Sequence, residues 1–418
     1  MSNIFLNKNK CFKKALLVFM ISTFFLSACV IPGSRGNFGG VGPKLSSEVD
    51  ENGIVTYSDN KPRLDIIIPT FNPGLSKNVD YVKDGVWPEL RRAEANRFAL
   101  ILKEELIKTN RFGAIRVTPN QDATGDIYIL GSIEESDGRT VEINLELYDI
   151  SGDRWFSKDF DHEVDEAFYD GYRNSGKDPY IPVFAEAAEY IVDKLDGFSA
   201  VELNTLKSLT DLRFAASFSD DAFKEYLKID GEHVELLGLP SKDDPMLIRT
   251  KAIRVRDQLF VDHLQDEYEL FNSSMNDSYS IWQKESMLES IAAGEARNKA
   301  VGQAVLGVLA VGLSIASLVS GSSSKGNLGS GKDLVAIAGA VGGAVLINES
   351  FKTSAEAKIH RDALEELGRS IDLEVAPQVV AFEQKTVKLT GDASQQFSQW
   401  RAFLKKMYLQ EETPEAQL

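Results

Sequence analysis

Cysteine is almost missing from this chain. Of 418 residues only Cys11 and Cys29 carry a thiol, and both lie near the start. From residue 30 onward no disulfide and no cysteine metal centre can form, so stability there has to come from burial. Histidine is scarce too, and His162, His233, His263 and His360 stand singly, none with a second His or a Cys at metal-ligand spacing. Positive charge is in deficit, with 46 Lys and Arg against 63 Asp and Glu and a formal net charge of −17. That balance argues against nucleic acid and against a polybasic membrane-surface mode. No G-x-S-x-G is present. The run Gly326–Asp333 comes near a phosphate loop, but Asp333 stands where a hydroxyl residue would hold magnesium and would repel phosphate. His162 lies in the acidic stretch DFDHEVDE, which lacks the glycine turn of a calcium loop. These absences predict no enzyme, no cofactor and no metal site.

What the chain does have begins at its first residues. Lys8, Lys10, Lys13 and Lys14 precede an apolar run, Ala15 to Leu26, that is too short for a comfortable bilayer span. The run ends in Leu26-Ser27-Ala28-Cys29, which resembles the lipobox of bacterial lipoprotein precursors. The resemblance implies a signal peptide over 1–28, recognised through Leu26, Ser27 and Ala28, and acylation of Cys29 by diacylglycerol and a palmitate-type chain. Several acyl chains give stable anchoring where one would be marginal. Val30 takes the place of the Asp that usually retains such proteins in the inner membrane. The expected location is therefore the outer membrane, lipid-anchored and mainly facing the periplasm. Residues 29–60, with Gly33, Gly36, Gly39, Gly40 and Gly42 among Ser and Asn, read as a flexible tether.

Regular signals start at Arg63. Leu64 to Ile68 reads as a buried strand ended by Pro69. Pro88 opens a helix to Lys108, with Ala95, Phe98, Leu102 and Leu106 on one stripe and charges opposite. Phe112–Val117 and Ile127–Ile133 read as strands. Val141, Ile143, Leu145 and Leu147 alternate with polar residues, and Ser151-Gly152-Asp153 turns the chain into Arg154–Phe160. Phe184, Ala188, Ile191 and Leu195 share one side of a last helix. The expectation is an α/β (α+β) sandwich over 61–198 in the order β-α-β-β-β-β-α.

The motifs PTFNPG, ELIKTNRFGAIRV, GDIYILGSIEES and VEINLELYDISGDRWFSKDF resemble the periplasmic domain of curli-secretion (CsgG-like) and TolB N-terminal proteins. The matching positions are Leu106, Asn110, Arg111 and Phe112, then Gly125 to Ile133, then Leu147, Asp149 and Gly152. The resemblance implies a fold and an envelope setting, and no reaction. A strand pair able to build a curli-type barrel is lacking.

Residues 199–418 read as mainly helical. Phe260, Leu264, Tyr268, Phe271, Met275, Tyr279 and Trp282 recur every three or four residues, as in a core-facing or coiled helix. Within this region 300–348 reads as a Gly/Ala-rich hydrophobic helical hairpin, split by the polar loop Lys325–Asp333. Ala300 and Ala304, Gly312 and Ala316, Ala336, Ala340 and Ala344, and Gly339 and Gly343 sit at close-packing intervals. In composition the hairpin resembles the TraT-type surface-exclusion lipoproteins, which implies copies packing their hairpins side by side. Ile359, Ala363 and Leu367 continue a helix that Pro377 would break, and Phe397, Trp400, Phe403 and Leu404 mark a last amphipathic helix. Two readings stay open. One is a homo-oligomeric structural or transport component of an envelope-spanning or secretion assembly, with its hairpin in the membrane and other envelope proteins as partners. The other is a periplasmic scaffolding or binding lipoprotein whose hairpin is buried in its own helical bundle.

Overall fold

Four consecutive buried residues, Ile66–Pro69, form the strand β1, an interior strand of the molecule's main sheet. A strand apolar on both faces needs cover on both faces, which suits a parallel neighbourhood. β1 indeed pairs in parallel with β2 (Ile115–Thr118) on one side and with β3 (Ile127–Ser136) on the other. The computed structural model describes residues 61–75, 86–318, 355–382 and 385–410, with only the backbone described for 289, 292–318, 355–357 and 382. The signal, the tether, and Leu26, Ser27, Ala28, Cys29, Ala336, Gly339, Ala340, Gly343 and Ala344 lie outside those residues.

The helix α1 (Pro88–Lys108) makes the crossover from β1 to β2, with proline in its first turn where a missing N–H costs nothing. Asn110, just past its end, takes φ 52°, a left-handed conformation that asparagine tolerates. β3, β4 (Thr140–Asp149) and β5 (Arg154–Glu163) form an antiparallel meander, and the sheet order is β2-β1-β3-β4-β5. In β4 buried and half-buried residues alternate along the whole strand, as its sequence alternation requires. α2 (Ile181–Asp196) packs beside α1 and over β5, with the Phe98 ring edge-on to Phe184 at 5.2 Å. The chain thus has mixed α and β content, with its sheet in the N-terminal half and helices later.

The later helices are α3 (Ala200–Phe218), α4 (Pro245–Leu318), α5 (Ala355–Leu367) and α6 (Ala393–Gln410). α3 starts on a capping box in which Ser199 and Glu202 exchange side-chain and backbone hydrogen bonds. α4 buries Phe260, Leu264, Tyr268, Met275, Tyr279 and Trp282 at the spacing the sequence shows, with Phe271 partly buried. Phe260 stacks on Trp400 of α6 with ring centroids 5.5 Å apart. One hydrophobic core runs through both stretches, 61–198 and 199–418.

Three local expectations are corrected. The region after residue 199 also holds two hairpins, β6 (Leu227–Asp230) with β7 (His233–Leu236) and β8 (Gln378–Phe382) with β9 (Lys385–Leu389). Strands of four or five residues are too short to print an alternation. α5 ends at Leu367, well before Pro377. Gly368 leaves the helix because it is pressed against α1, where an added Cβ would lie 1.7 Å from the Glu89 carbonyl oxygen. Finally, the charged side of α1 is not wet. Arg91, Glu94, Arg97, Lys103 and Glu105 are all buried, because α1 is sandwiched between the sheet and α4.

Candidate functional site: a polar clamp on a buried helix

A helix that buries five charged side chains is costly unless each finds a partner. On α1 those partners come chiefly from α4 and the sheet. The Arg97 guanidinium donates to Asp178 Oδ2 at 2.7 Å, to Asn272 Oδ1 at 2.5 Å and to Asn276 Oδ1 at 3.2 Å. Its plane lies over the Tyr279 ring, 4.7 Å from the centroid. Asp178 uses its other oxygen to accept from Gln283 Nε2 at 3.0 Å and from the Tyr180 N–H at 2.9 Å. One arginine and one aspartate therefore fasten α1, α4 and the segment leading into α2.

Glu94 lies one turn earlier and is fully buried. Its Oε1 accepts from Ser136 Oγ at 2.6 Å and from Tyr279 Oη at 2.7 Å. Oε2 has no hydrogen-bond partner and lies 3.7 Å from Arg91 Nε. Burial pushes the Glu94 carboxyl up to about 7, against the opposing pull of Arg91 and the two hydroxyl donors. Burial also pushes the Tyr180 and Tyr279 phenols well above their usual range, so both remain neutral. Tyr180 Oη accepts the Gly138 N–H at 2.7 Å. Gly138 has φ 90° and presses the β3–β4 turn onto α4, where a Cβ would meet the Gln283 carbonyl oxygen at 2.7 Å.

Further along, Gln265 of α4 lies against the open edge of the sheet. Its Oε1 accepts from Val117 N at 2.9 Å and its Nε2 donates to Val117 O at 2.8 Å, so its amide pairs with β2 as a neighbouring peptide group would. Lys103 of α1 completes the set by donating to Gln265 Oε1 at 3.1 Å. Residues on the same side of α1 as Lys103 take hold of the chain after α5. Arg92 Nε donates to Gly368 O at 2.6 Å and Asn96 Nδ2 to Ile371 O at 3.0 Å. α1 accordingly grips both α4 and the stretch just after α5.

Two clefts open beside this clamp. One, of about 600 Å³, lies between α4 and the loop 168–178, with Phe168, Tyr169, Ser280 and Lys284 in its wall and Arg97 and Asp178 contributing to its lining. The other, of about 470 Å³, lies among Asp126, Lys207, Asp211, Lys251 and Arg254, whose charges pair with one another. Neither cleft is lined by a histidine or cysteine that could serve as base or nucleophile. Among the described residues no group of three or more His, Cys, Asp or Glu is arranged to hold a metal ion. His162 sits on β5, His233 faces Asp153 at 3.1 Å, and His360 Nδ1 lies 3.1 Å from Ser278 Oγ.

Ala300, Ala304, Gly312 and Ala316 all fall in the distal part of α4. At about 100° per residue, Ala300 and Ala304 share one side of that helix and Gly312 and Ala316 another. Among the residues described in full, no helix is long and apolar enough to cross a membrane. Glu94, Arg97, Asp178, Tyr180 and Gln265 were not singled out by the sequence. The signal for two of them was present, since Arg91, Glu94 and Arg97 recur every three residues on a helix expected to be covered on one side. Compared with known protein families, with curated proteins and with solved structures, the chain matches none of them.

Proposed function

We propose that the protein is an outer-membrane lipoprotein, held by acyl chains on Cys29, that acts as a homo-oligomeric structural or transport component of an envelope-spanning or secretion assembly. The hairpin over 300–348 enters the membrane, and the α/β part, of the curli-secretion and TolB N-terminal kind, faces the periplasm. One observation supports this reading: a single buried helix, α1, holds both α4 and the stretch after α5, the two segments that flank 300–348. α4 alone runs 74 residues, a rise of about 110 Å at 1.5 Å per residue, and passes without a break from the clamp into the Gly/Ala run. A hairpin buried in its own bundle needs no such reach. Small residues at four-residue intervals further suit close helix packing between copies.

The test uses the scarcity of thiols. With Ser323, two residues before the polar loop, replaced by Cys, intact cells are treated with a membrane-impermeant maleimide. Labelling of whole cells, with periplasmic controls protected, is the expected result. Labelling only after the outer membrane is opened would replace this reading with that of a periplasmic scaffold.

A further inference from the structure

α4 has a second apolar stripe that the clamp leaves uncovered. Ile248, Val255, Leu259 and Leu270 are 54, 55, 61 and 64 % exposed. At about 100° per residue all four fall within about 60° of one another, on the side away from Phe260, Leu264, Tyr268 and Tyr279. Leucine and isoleucine at such exposure are ordinary when scattered, but a single-file row on one helix is not.

Ile248 and Leu270 each lie eleven residues from Leu259, about three helical turns, so these three positions are symmetric about Leu259, while Val255 has His263 as its counterpart and Asp266 stands in the stripe between Leu259 and Leu270. The charges flanking the stripe reverse sign about the same point, with Arg249 and Lys251 before Leu259 and Glu267 and Glu269 after it. Three apolar positions symmetric about Leu259, flanked by charges antisymmetric about it, are complementary to themselves when turned end for end.

We propose that this face of α4 joins two copies of the chain, packed antiparallel about a two-fold axis at Leu259. The axis sets Leu259 against the partner's Leu259 and Ile248 against the partner's Leu270. It also brings Lys251 within about 3 Å of axial register with the partner's Glu269, and Arg249 likewise with the partner's Glu267. The two flanks are served separately, because Lys251 and Glu269 lie on one side of the stripe and Arg249 and Glu267 on the other. Within their own chain Lys251 faces Asp211 at 3.1 Å and Glu269 faces Lys103 at 3.6 Å, yet their side chains stay 50 and 61 % exposed and can serve a second partner. Parallel packing would instead align arginine with arginine and acid with acid, so charge selects the antiparallel arrangement. Such an isologous contact closes at two copies.

This inference sharpens the homo-oligomer of the reading above and rests on that part alone. The test takes the full chain in detergent, with Cys11 and Cys29 replaced by Ser, and a short bismaleimide cross-linker. Leu259→Cys is expected to cross-link to itself. Ile248→Cys and Leu270→Cys are expected to cross-link when mixed and not alone, since like positions would stand about 33 Å apart. Leu259→Asp, at an exposed position that leaves the core untouched, is expected to weaken self-association about tenfold or more by sedimentation. Lys251→Glu should weaken it, and adding Glu269→Lys should restore it. A monomer in sedimentation, cross-linking of Ile248→Cys alone, or a Leu259→Asp chain that associates unchanged would each overturn the proposal. Failed labelling at Ser323 with an intact Leu259 cross-link would sink membrane insertion and leave the dimer standing.

Discussion

Glu94 has two hydroxyl donors on one oxygen and none on the other, and burial raises its carboxyl to about 7 against 4.5 for a free glutamate. The sign of the linkage follows. In the folded state the group binds its proton more tightly than in the unfolded chain, so its contribution is full below about pH 4.5 and is lost as pH rises through 7. The difference is on the order of 3 kcal/mol. Urea midpoints of the wild type should therefore fall between about pH 4.5 and 7, and those of Glu94→Gln should lose most of that slope. Equal slopes for the two proteins would show that Glu94 is not the titrating group. At this scale the sequence was least legible. Glu94 and Arg97 are spaced like the solvated face of any surface helix, and only α4, far along the chain, makes that face an interior one.

Elements were easier to read where they are long. The ten residues of β4 print their alternation plainly, and α1 and α2 show their apolar stripes together with a proline at the start. The four-residue strands β6 and β7 do not, since a turn at Gly231 and little burial leave almost no pattern to see. Gln265 shows what an element-level reading misses. It falls among the apolar positions of α4 as an apparent break, yet its amide closes the edge of the sheet at Val117. Gln265→Ala should leave the Val117 N–H and C=O and the Lys103 ammonium short of a partner, at about 1–3 kcal/mol for the buried groups. Amide exchange at Val117 should accelerate strongly while exchange in β4 and β5 changes little. Unchanged protection at Val117 would mean that another group takes over the edge.

For the whole molecule, the question is how firmly the long helix is tied to the sheet. Arg97→Ala removes three hydrogen-bonded contacts and leaves the largely covered Asp178 carboxylate with only the Gln283 and Tyr180 N–H donors and no cation, a loss of about 3 kcal/mol. Exchange should then rise together in α4 around Asn272–Gln283 and in the segment around Asp178, with the meander still protected. A rise confined to one of the two segments would show that the clamp is not a single unit. The sequence divides into an α/β stretch and a helical stretch, while the core joins them, because Phe260, Tyr268 and Tyr279 are themselves the cover of α1 and the sheet. That division could not be corrected from composition, since an apolar stripe does not name what it faces.

The clamp has a mechanical consequence. α4 and the end of α5 are fastened to the same rigid helix rather than to each other alone, so a pull on whatever lies between them loads both fastenings at once. Bonds strained in parallel share the force and have to fail together, whereas bonds in a row would peel one by one. α1 is thus the crossbar of a two-legged mount, and tension arriving through either leg is delivered to the parallel half of the sheet, β2, β1 and β3.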